Sequence, residues 1–204
     1  MSEETAPTAI KPLTKTRLEA FSDGVIAIII TIMVLELKTP DGFTWTALAG
    51  SLHVFLLYAF SFIYIGIYWN NHHHLLHAAQ KVTGGVLWAN LHLLFWLSLV
   101  PFATRWMGES WSHGTLQELP VAIYGVSLLM PSIAFYILVR LLIAANGRDS
   151  ALTHAIGKDS KGLISTGIYI LGIAVCHWSV WAAIACYVFV ALIWLVPDRR
   201  IERD

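Results

Sequence analysis

Long runs of apolar residues, separated by short polar stretches, dominate the chain. A helix that spans a membrane needs about 20 apolar residues, since each residue rises about 1.5 Å through a hydrocarbon core of about 30 Å. The pattern therefore predicts an all-α integral membrane protein. We place the first four spans near residues 18–37, 45–69, 82–102 and 119–143. We expect the second span to continue as a helix to residue 79, and Pro101 to end the third.

The last apolar run, residues 163–196, is too long for one span and predicts two short helices with a break near residues 177–181. The total is six transmembrane helices per subunit, joined by short loops and without a re-entrant pore loop. This pattern divides the chain into an N-terminal tail (1–17), a six-helix transmembrane domain (18–197) and a C-terminal tail (198–204).

Basic residues indicate how the spans are oriented. Six spans place both termini and the second and fourth loops on one side, and only Lys38 and Arg105 on the other. Cytoplasmic loops carry an excess of Lys and Arg. We therefore expect a multi-pass protein of the cell membrane with both termini in the cytoplasm. The cytoplasmic basic residues are Lys11, Lys15, Arg17, Lys81, Arg140, Arg148, Lys158, Lys161, Arg199, Arg200 and Arg203.

Composition agrees with a lipid environment. Hydrophobic residues make up 57% of the chain and charged residues 13%, whereas a soluble domain carries about 25% charged residues. The nine tryptophans suit the membrane–water boundary. The formal net charge is zero, so nothing in it indicates a nucleic-acid partner. Both cysteines lie in apolar runs, where we expect inert buried thiols.

Polar residues at the start of the first span contrast with the apolar helix that follows. Glu19, Ser22 and Asp23 lie at the predicted cytoplasmic edge. Ionisable groups near membrane depth usually have a function or a partner. Ser and Asp near a helix start equally act as an N-terminal cap. From the residues alone, both readings stay open.

A helical wheel separates the first span into two faces at about 100° per residue. Gly24, Ile28, Thr31 and Leu35 share one stripe, and Asp23 lies roughly opposite it. One face must pack on the subunit, and the other must meet lipid, a neighbouring subunit or a pore. Periodicity alone does not choose among these.

Three motifs of the first three spans resemble the endolysosomal potassium channel family called transmembrane protein 175, in its prokaryotic form. The first is Arg17-x-x-x-Phe21-Ser22-Asp23. The second is Tyr68-Trp69-Asn70-Asn71-His72-His73. The third is Leu87-Trp88-Ala89-Asn90-Leu91, followed by Leu99-Val100-Pro101-Phe102. The later spans match in hydropathy and length only.

The resemblance implies a potassium-permeable homotetramer in a lipid bilayer, with a central pore lined by the first helix. Ile28 aligns with the constricting isoleucine, and Thr31 and Leu35 with the next pore positions. Four Ile28 side chains would form a hydrophobic gate. The family and this sequence both lack the Thr-Val-Gly-Tyr-Gly filter, so we expect modest selectivity for K⁺ over Na⁺.

The resemblance also assigns partners to the polar residues. These residues would form a structural network that positions the pore helix, since buried charges need partners. The expected members are Arg17, Phe21, Ser22, Asp23, His73, His77, Trp88 and Asn90.

Rival readings rest on the histidines. His73 and His77 are spaced as zinc ligands can be, but no cysteine or carboxylate lies nearby to complete a site, so we expect no metal. A membrane haem protein would need facing axial histidines, for which His53 and His92 are the candidates. Hydrolase motifs are absent from the sequence, so we expect no catalytic residue, no enzyme and no cofactor, with K⁺ as the permeant ion. A proton-conducting channel of the same architecture remains the nearest alternative.

Overall fold

The computed structural model describes residues 15–112, 114–147, 150, 152–153 and 160–195. Most of both predicted tails (1–17 and 198–204) lies outside the described residues. The secondary-structure elements of the described part are the helices α1 (Lys15–Leu35), α2 (Trp45–Gly50), α3 (Leu52–Ala78), α4 (Gly84–Ser98), α5 (Val100–Ser112), α6 (Glu118–Asn146), α7 (Ser160–Val175) and α8 (Val180–Leu195).

Four helical stretches of the described part are long and apolar enough to cross a bilayer: Lys15–Leu35, Leu52–Ala78, Gly84–Ser112 and Glu118–Asn146. Two shorter apolar helices, α7 and α8, follow them and have 16 residues each. At about 1.5 Å per residue, each of these is shorter than a hydrocarbon core of about 30 Å. Helical architecture and several membrane spans are therefore confirmed, and the count of six stays a prediction.

The third span corrects one expectation about Pro101. We expected Pro101 to end the span and a loop to follow, but α5 continues the helical path to Ser112. Only Leu99 separates α4 from α5, and Pro101 is the second residue of α5. A proline is tolerated in the first turn of a helix, where its missing N–H would have no partner in any case.

The break in the last apolar run lies close to where its length predicted. Residues 176–179 form a turn between α7 and α8. The backbone N–H groups of Trp178 and Ser179 both donate to the carbonyl of Val175, at 3.0 and 2.9 Å. The two short helices then pack against each other and against α6.

Polar contacts show which helix ends lie together. The Lys15 ammonium donates to the carbonyl of His77 at 2.8 Å, which joins the start of α1 to the end of α3. The Asn146 side chain accepts from the backbone N–H groups of Gln80 and Lys81, both at 2.8 Å, which brings the end of α6 to the same place. We call this the basic end of the bundle. The opposite end carries Lys38 and Arg105, which pair with Glu109 and Glu36 there. Which end faces the cytoplasm stays a prediction.

Two clusters of buried side chains form the core, and α6 contributes to both. One cluster joins α1 and α4 to the second half of α6, where Leu138 and Leu142 are fully buried. The other joins α5, α7 and α8 to the first half of α6, where Tyr124 and Leu128 are buried. Helix α1 packs against the first cluster only, so one of its sides stays uncovered in the subunit.

Candidate functional site

Helix α1 buries one stripe of side chains and exposes another. The buried stripe follows the three-and-four spacing of an amphipathic helix. The exposed stripe holds the predicted pore residues: Ile28 is 59% exposed and Leu35 is 81% exposed, whereas the adjacent Ile29 is 3% exposed. The buried residues of α1 are Leu18, Ser22, Ile26, Ile29 and Met33.

The Thr31 hydroxyl lies on the exposed stripe between Ile28 and Leu35. It donates to the carbonyl of Ile28 at 2.9 Å and is 3.1 Å from that of Ala27. Such back-bonding to the preceding turn is common for threonine in helices. Because the hydrogen points back to the helix, the lone pairs of the oxygen remain available on the exposed side.

A chain of hydrogen bonds ties the buried side of α1 to α4 and α3. The Asn90 amide donates to the Ser22 hydroxyl at 2.9 Å, and Ser22 donates to the carbonyl of Leu18 at 2.8 Å. The Nε2–H of His72 donates to the amide oxygen of Asn90 at 2.7 Å. Ser22, His72 and Asn90 are each at most 1% exposed. The structure therefore brings together two predicted residues, Ser22 and Asn90, and adds His72.

Asp23 has a partner that lies outside the predicted network. Its carboxylate accepts from the indole N–H of Trp69 at 2.9 Å, near the surface. His73 stacks between Trp69 and His77, with ring centroids 5.9 and 6.2 Å away. His73 therefore reaches Asp23 only indirectly, through Trp69. His77 contributes its backbone carbonyl to Lys15 rather than its ring to the network.

Three other predicted members lie on exposed surfaces of the single subunit. Trp88 is 75% exposed and Phe21 is 52% exposed. Arg17 is exposed on the stripe that continues to Ile28, and within the described residues it forms no ion pair. The subunit alone therefore does not join Arg17, Phe21 or Trp88 to the buried chain of Ser22, Asn90 and His72.

Helical spacing contained the signal for His72. The residues Ile65, His72 and Leu76 are separated by seven and four positions, and all three are buried on one face of α3. The spacing of His73 and His77 drew attention instead because it also suits a metal. Trp69 lies in the motif that carried the resemblance, but nothing in the sequence indicated that it would bind Asp23.

At the end of the bundle opposite the basic end, ion pairs join the residues that follow α1 to α5. Arg105 pairs with Glu36 at 2.7 Å and with Glu109 at 3.4 Å. Lys38 pairs with Glu109 at 3.1 Å. These four residues, the terminal ion-pair cluster, alternate in sign between the two segments. The cluster joins the end of the Ile28 stripe to the rest of the subunit.

The histidines do not form a metal centre in the part of the chain that the structure describes. There, no three His, Cys, Asp or Glu side chains come together as metal ligands. His53 is held by the Ser112 hydroxyl at 3.1 Å, and His92 accepts from the Trp96 indole at 2.8 Å. Both candidates for haem ligation are thus hydrogen-bonded to neighbouring side chains.

The fold is that of a helical membrane protein, and one face of its helix α1 is left uncovered by the rest of the subunit. Residues 17–101 match the family described as the endosomal/lysosomal potassium channel TMEM175. A protein of Chryseobacterium sp. (strain P1-3) named potassium channel HX13_20290 is 56% identical, over 94% of this chain and 98% of the relative.

A solved structure is also similar to this chain. The crystal structure of a lysosomal potassium-selective channel TMEM175 homolog from Chamaesiphon minutus superposes with a TM-score of 0.76. It is 29% identical and covers 91% of this chain and 97% of that one. The endosomal/lysosomal proton channel TMEM175 of Gallus gallus is 32% identical over 55% of this chain and 25% of its own length.

The chain belongs to the TMEM175 family. The predicted resemblance is thereby confirmed over nearly the whole chain rather than the first three helices alone. The family consists of ion channels and not of enzymes, which confirms that expectation as well.

Proposed function

We propose that the chain is a potassium channel whose pore is lined by α1. The observation that carries the proposal is the exposed stripe of Ile28, Thr31 and Leu35 on a helix whose other side is packed. A lone subunit leaves this stripe uncovered, and one helix cannot enclose a pore. The relative from Chryseobacterium, named a potassium channel, supports K⁺ as the permeant ion.

In a homotetramer in the cell membrane, the exposed stripe of α1 would contact the other subunits. Four copies of α1 around an axis would face one another and enclose a narrow path. Six spans per subunit would put both termini on one side, because six is an even number. In this count α4 and α5 together form one crossing, and α7 and α8 form one each. The grouping of Lys15 and Lys81 at the basic end supports cytoplasmic termini. Native mass spectrometry should give four copies per particle, and a monomer would contradict this assembly.

The gate would be apolar. Ile28 is the bulkiest side chain near the middle of the stripe, and a ring of four would exclude water from the path and so stop ions. A small rotation or tilt of α1 would move the ring aside. Within each subunit, the buried chain of Ser22, Asn90 and His72 would hold α1 in one rotational position, and the terminal ion-pair cluster would hold its far end.

Selectivity would come from Thr31. Its hydroxyl hydrogen is committed to the carbonyl of Ile28, so its oxygen can contact a cation that has shed part of its water. A ring of four hydroxyls is a weaker set of ligands than the carbonyl filters of other potassium channels. We therefore expect only modest preference for K⁺ over Na⁺.

A matched pair of variants tests the gate in planar bilayers. Ile28→Asn puts a polar side chain in the ring and should raise the open probability or the conductance, because water then enters more readily. Val34→Asn is the control: Val34 is 45% exposed on the same helix, about 120° away from Ile28 around the axis. Equal currents from the two variants would remove Ile28 from the gate.

Proton conduction through the same pore is the second candidate. It is favoured by the relative from Gallus gallus, which is named a proton channel. Reversal potentials under separate K⁺ and pH gradients distinguish the two ions. A potential that follows the pH gradient alone would select the proton.

A further inference from the structure

A crevice opens inside the subunit, between α3, α6, α7 and α8 and away from α1. Its empty volume, including the mouth, is about 510 Å³. Among the described residues, no charged side chain lines it. The lining residues that matter most here are Tyr64, Ile67, Tyr68, Asn71, Ser132 and Tyr169.

Aromatic rings form much of the wall. Tyr68 packs against Tyr64 at a centroid distance of 5.4 Å and against Phe135 at 6.1 Å, the latter edge to face. The hydroxyls of Tyr64 and Tyr169 are hydrogen-bonded to each other. Such a wall favours an aromatic or aliphatic body, because ring edges and faces attract other rings. It disfavours a charged ligand, which would lose its hydration without gaining a counter-ion.

One polar group of the crevice has an unused acceptor. The Asn71 amide donates to the carbonyl of Ile67 at 2.8 Å. Its amide oxygen receives no hydrogen bond from the described residues. The Ser132 hydroxyl is already paired with Thr166 at 3.0 Å, and Ser165 with the Trp194 indole at 2.9 Å. The remaining acceptor at Asn71 suits a ligand that donates one O–H group.

Helix α3 connects this crevice to the pore helix. Ile67, Tyr68 and Asn71 face the crevice. Within the same two turns, Trp69 holds Asp23 of α1, and His72 holds Asn90, which binds Ser22 of α1. A molecule that displaces the crevice side of α3 therefore displaces the residues that hold α1.

We propose that the crevice binds an uncharged lipophilic phenol or alcohol, with its hydroxyl on Asn71, and that this ligand alters ion flux by shifting α3 against α1. The proposal that the ligand binds depends only on the crevice. The proposal that the ligand alters ion flux rests on the proposed channel function.

Photolabelling of the full chain in lipid vesicles tests binding. The probe is a phenol that carries a trifluoromethyl diazirine, and excess 4-tert-butylphenol is the competitor. Ile67→Trp fills the crevice and should lower competable labelling of α3 and α7 peptides by roughly tenfold, equivalent to about 1.4 kcal/mol. Ser132→Leu, a second filling variant, should do the same from α6. Ile63→Trp is the control, since Ile63 is 42% exposed on α3 and does not line the crevice.

The outcomes separate the two halves of the proposal. Labelling that the competitor does not reduce, or that both filling variants leave unchanged, overturns the site. Potassium flux that changes with 4-tert-butylphenol in the unaltered chain and in Ile63→Trp, but not in the filled variants, supports the coupling. Competable labelling with unchanged flux overturns the coupling. If the unaltered chain passes no potassium at all, the proposed function fails while the labelling result still decides the site.

Discussion

The buried chain of Ser22, Asn90 and His72 makes a sharp prediction about stability. Asn90→Leu keeps a side chain of similar size and removes both hydrogen-bonding groups of the amide. Ser22 then loses one bond but keeps its own donation to Leu18. The Nε2–H of His72 loses its acceptor, and His72 is only 1% exposed, so water does not replace it.

The magnitude follows from these two losses. A hydrogen bond contributes about 0.5–1.5 kcal/mol net, and a buried group left without a partner costs about 1–3 kcal/mol. The sum is about 1.5–4.5 kcal/mol. For a chain of this size, each kcal/mol lowers the melting temperature by about 2–4 °C, so Asn90→Leu should melt about 3–18 °C lower.

Thermal unfolding in one detergent, followed by circular dichroism, measures this shift. Asn70→Leu is the matched control, because Asn70 is exposed on α3 and its side chain forms no hydrogen bond with the described residues. It should melt close to the unaltered chain. A double-mutant cycle of Ser22→Ala and Asn90→Ala should give a coupling of about 0.5–1.5 kcal/mol, since the two residues touch. If Asn90→Leu lowers the melting temperature no more than Asn70→Leu does, the hydrogen bonds among Ser22, Asn90 and His72 do not stabilise the fold as proposed.

Three further predictions concern other contacts. In the terminal ion-pair cluster, Glu36→Arg should lower the melting temperature. Adding Arg105→Glu should restore part of the loss by re-forming the pair seen at 2.7 Å, but not all of it, because the change also removes the pair with Glu109. Because both side chains are partly exposed, the coupling should be below about 1 kcal/mol and should weaken in high salt; a coupling unaffected by salt would contradict the ion pair. Gly125→Ala should cost about 1–3 kcal/mol, since a Cβ there would lie 2.6 Å from Cζ of Tyr187. Combining it with Tyr187→Leu should recover part of the loss, and no recovery would show that the clash lies elsewhere. Thr83→Ala should cost about 0.5–2 kcal/mol by removing the N-terminal cap of α4, whereas Thr83→Ser should cost little; equal melting of the two variants would exclude capping.

Hydropathy predicted most of the architecture because lipid leaves the chain few choices. Backbone groups in a bilayer must be paired within a helix, so long apolar runs become helices. The last run was divided correctly because it exceeds one crossing. Pro101 was misread because its effect depends on position: it ends a helix when it lies inside one but is accommodated in a first turn.

The candidate site was predictable where periodicity alone decides it. The helical wheel separates Ile28, Thr31 and Leu35 from the face that the structure buries. It also places Arg17 on the exposed stripe, since eleven residues bring the helix nearly to the same angle. Composition does not distinguish His72 from His73, because both lie in the same histidine run. The spacing of His72 from Ile65 and Leu76 was the one indication that His72 would be buried.

The contact between Trp69 and Asp23 could not be predicted either. It depends on how far α3 lies from α1 and on the rotation of each helix. Ridges and grooves allow several such arrangements for similar sequences. The crevice beside Tyr68 and Asn71 has the same status, because it arises where four helices fail to fill the space between them.

The central claim is that this chain forms a pore for potassium, and flux into sealed vesicles tests it most directly. Purified protein is reconstituted in liposomes, and uptake of K⁺ down its gradient is compared with Na⁺ uptake and with protein-free vesicles. We predict K⁺ uptake that exceeds Na⁺ uptake and rises further in Ile28→Asn. Uptake of neither ion, in the unaltered chain and in Ile28→Asn alike, would contradict the account.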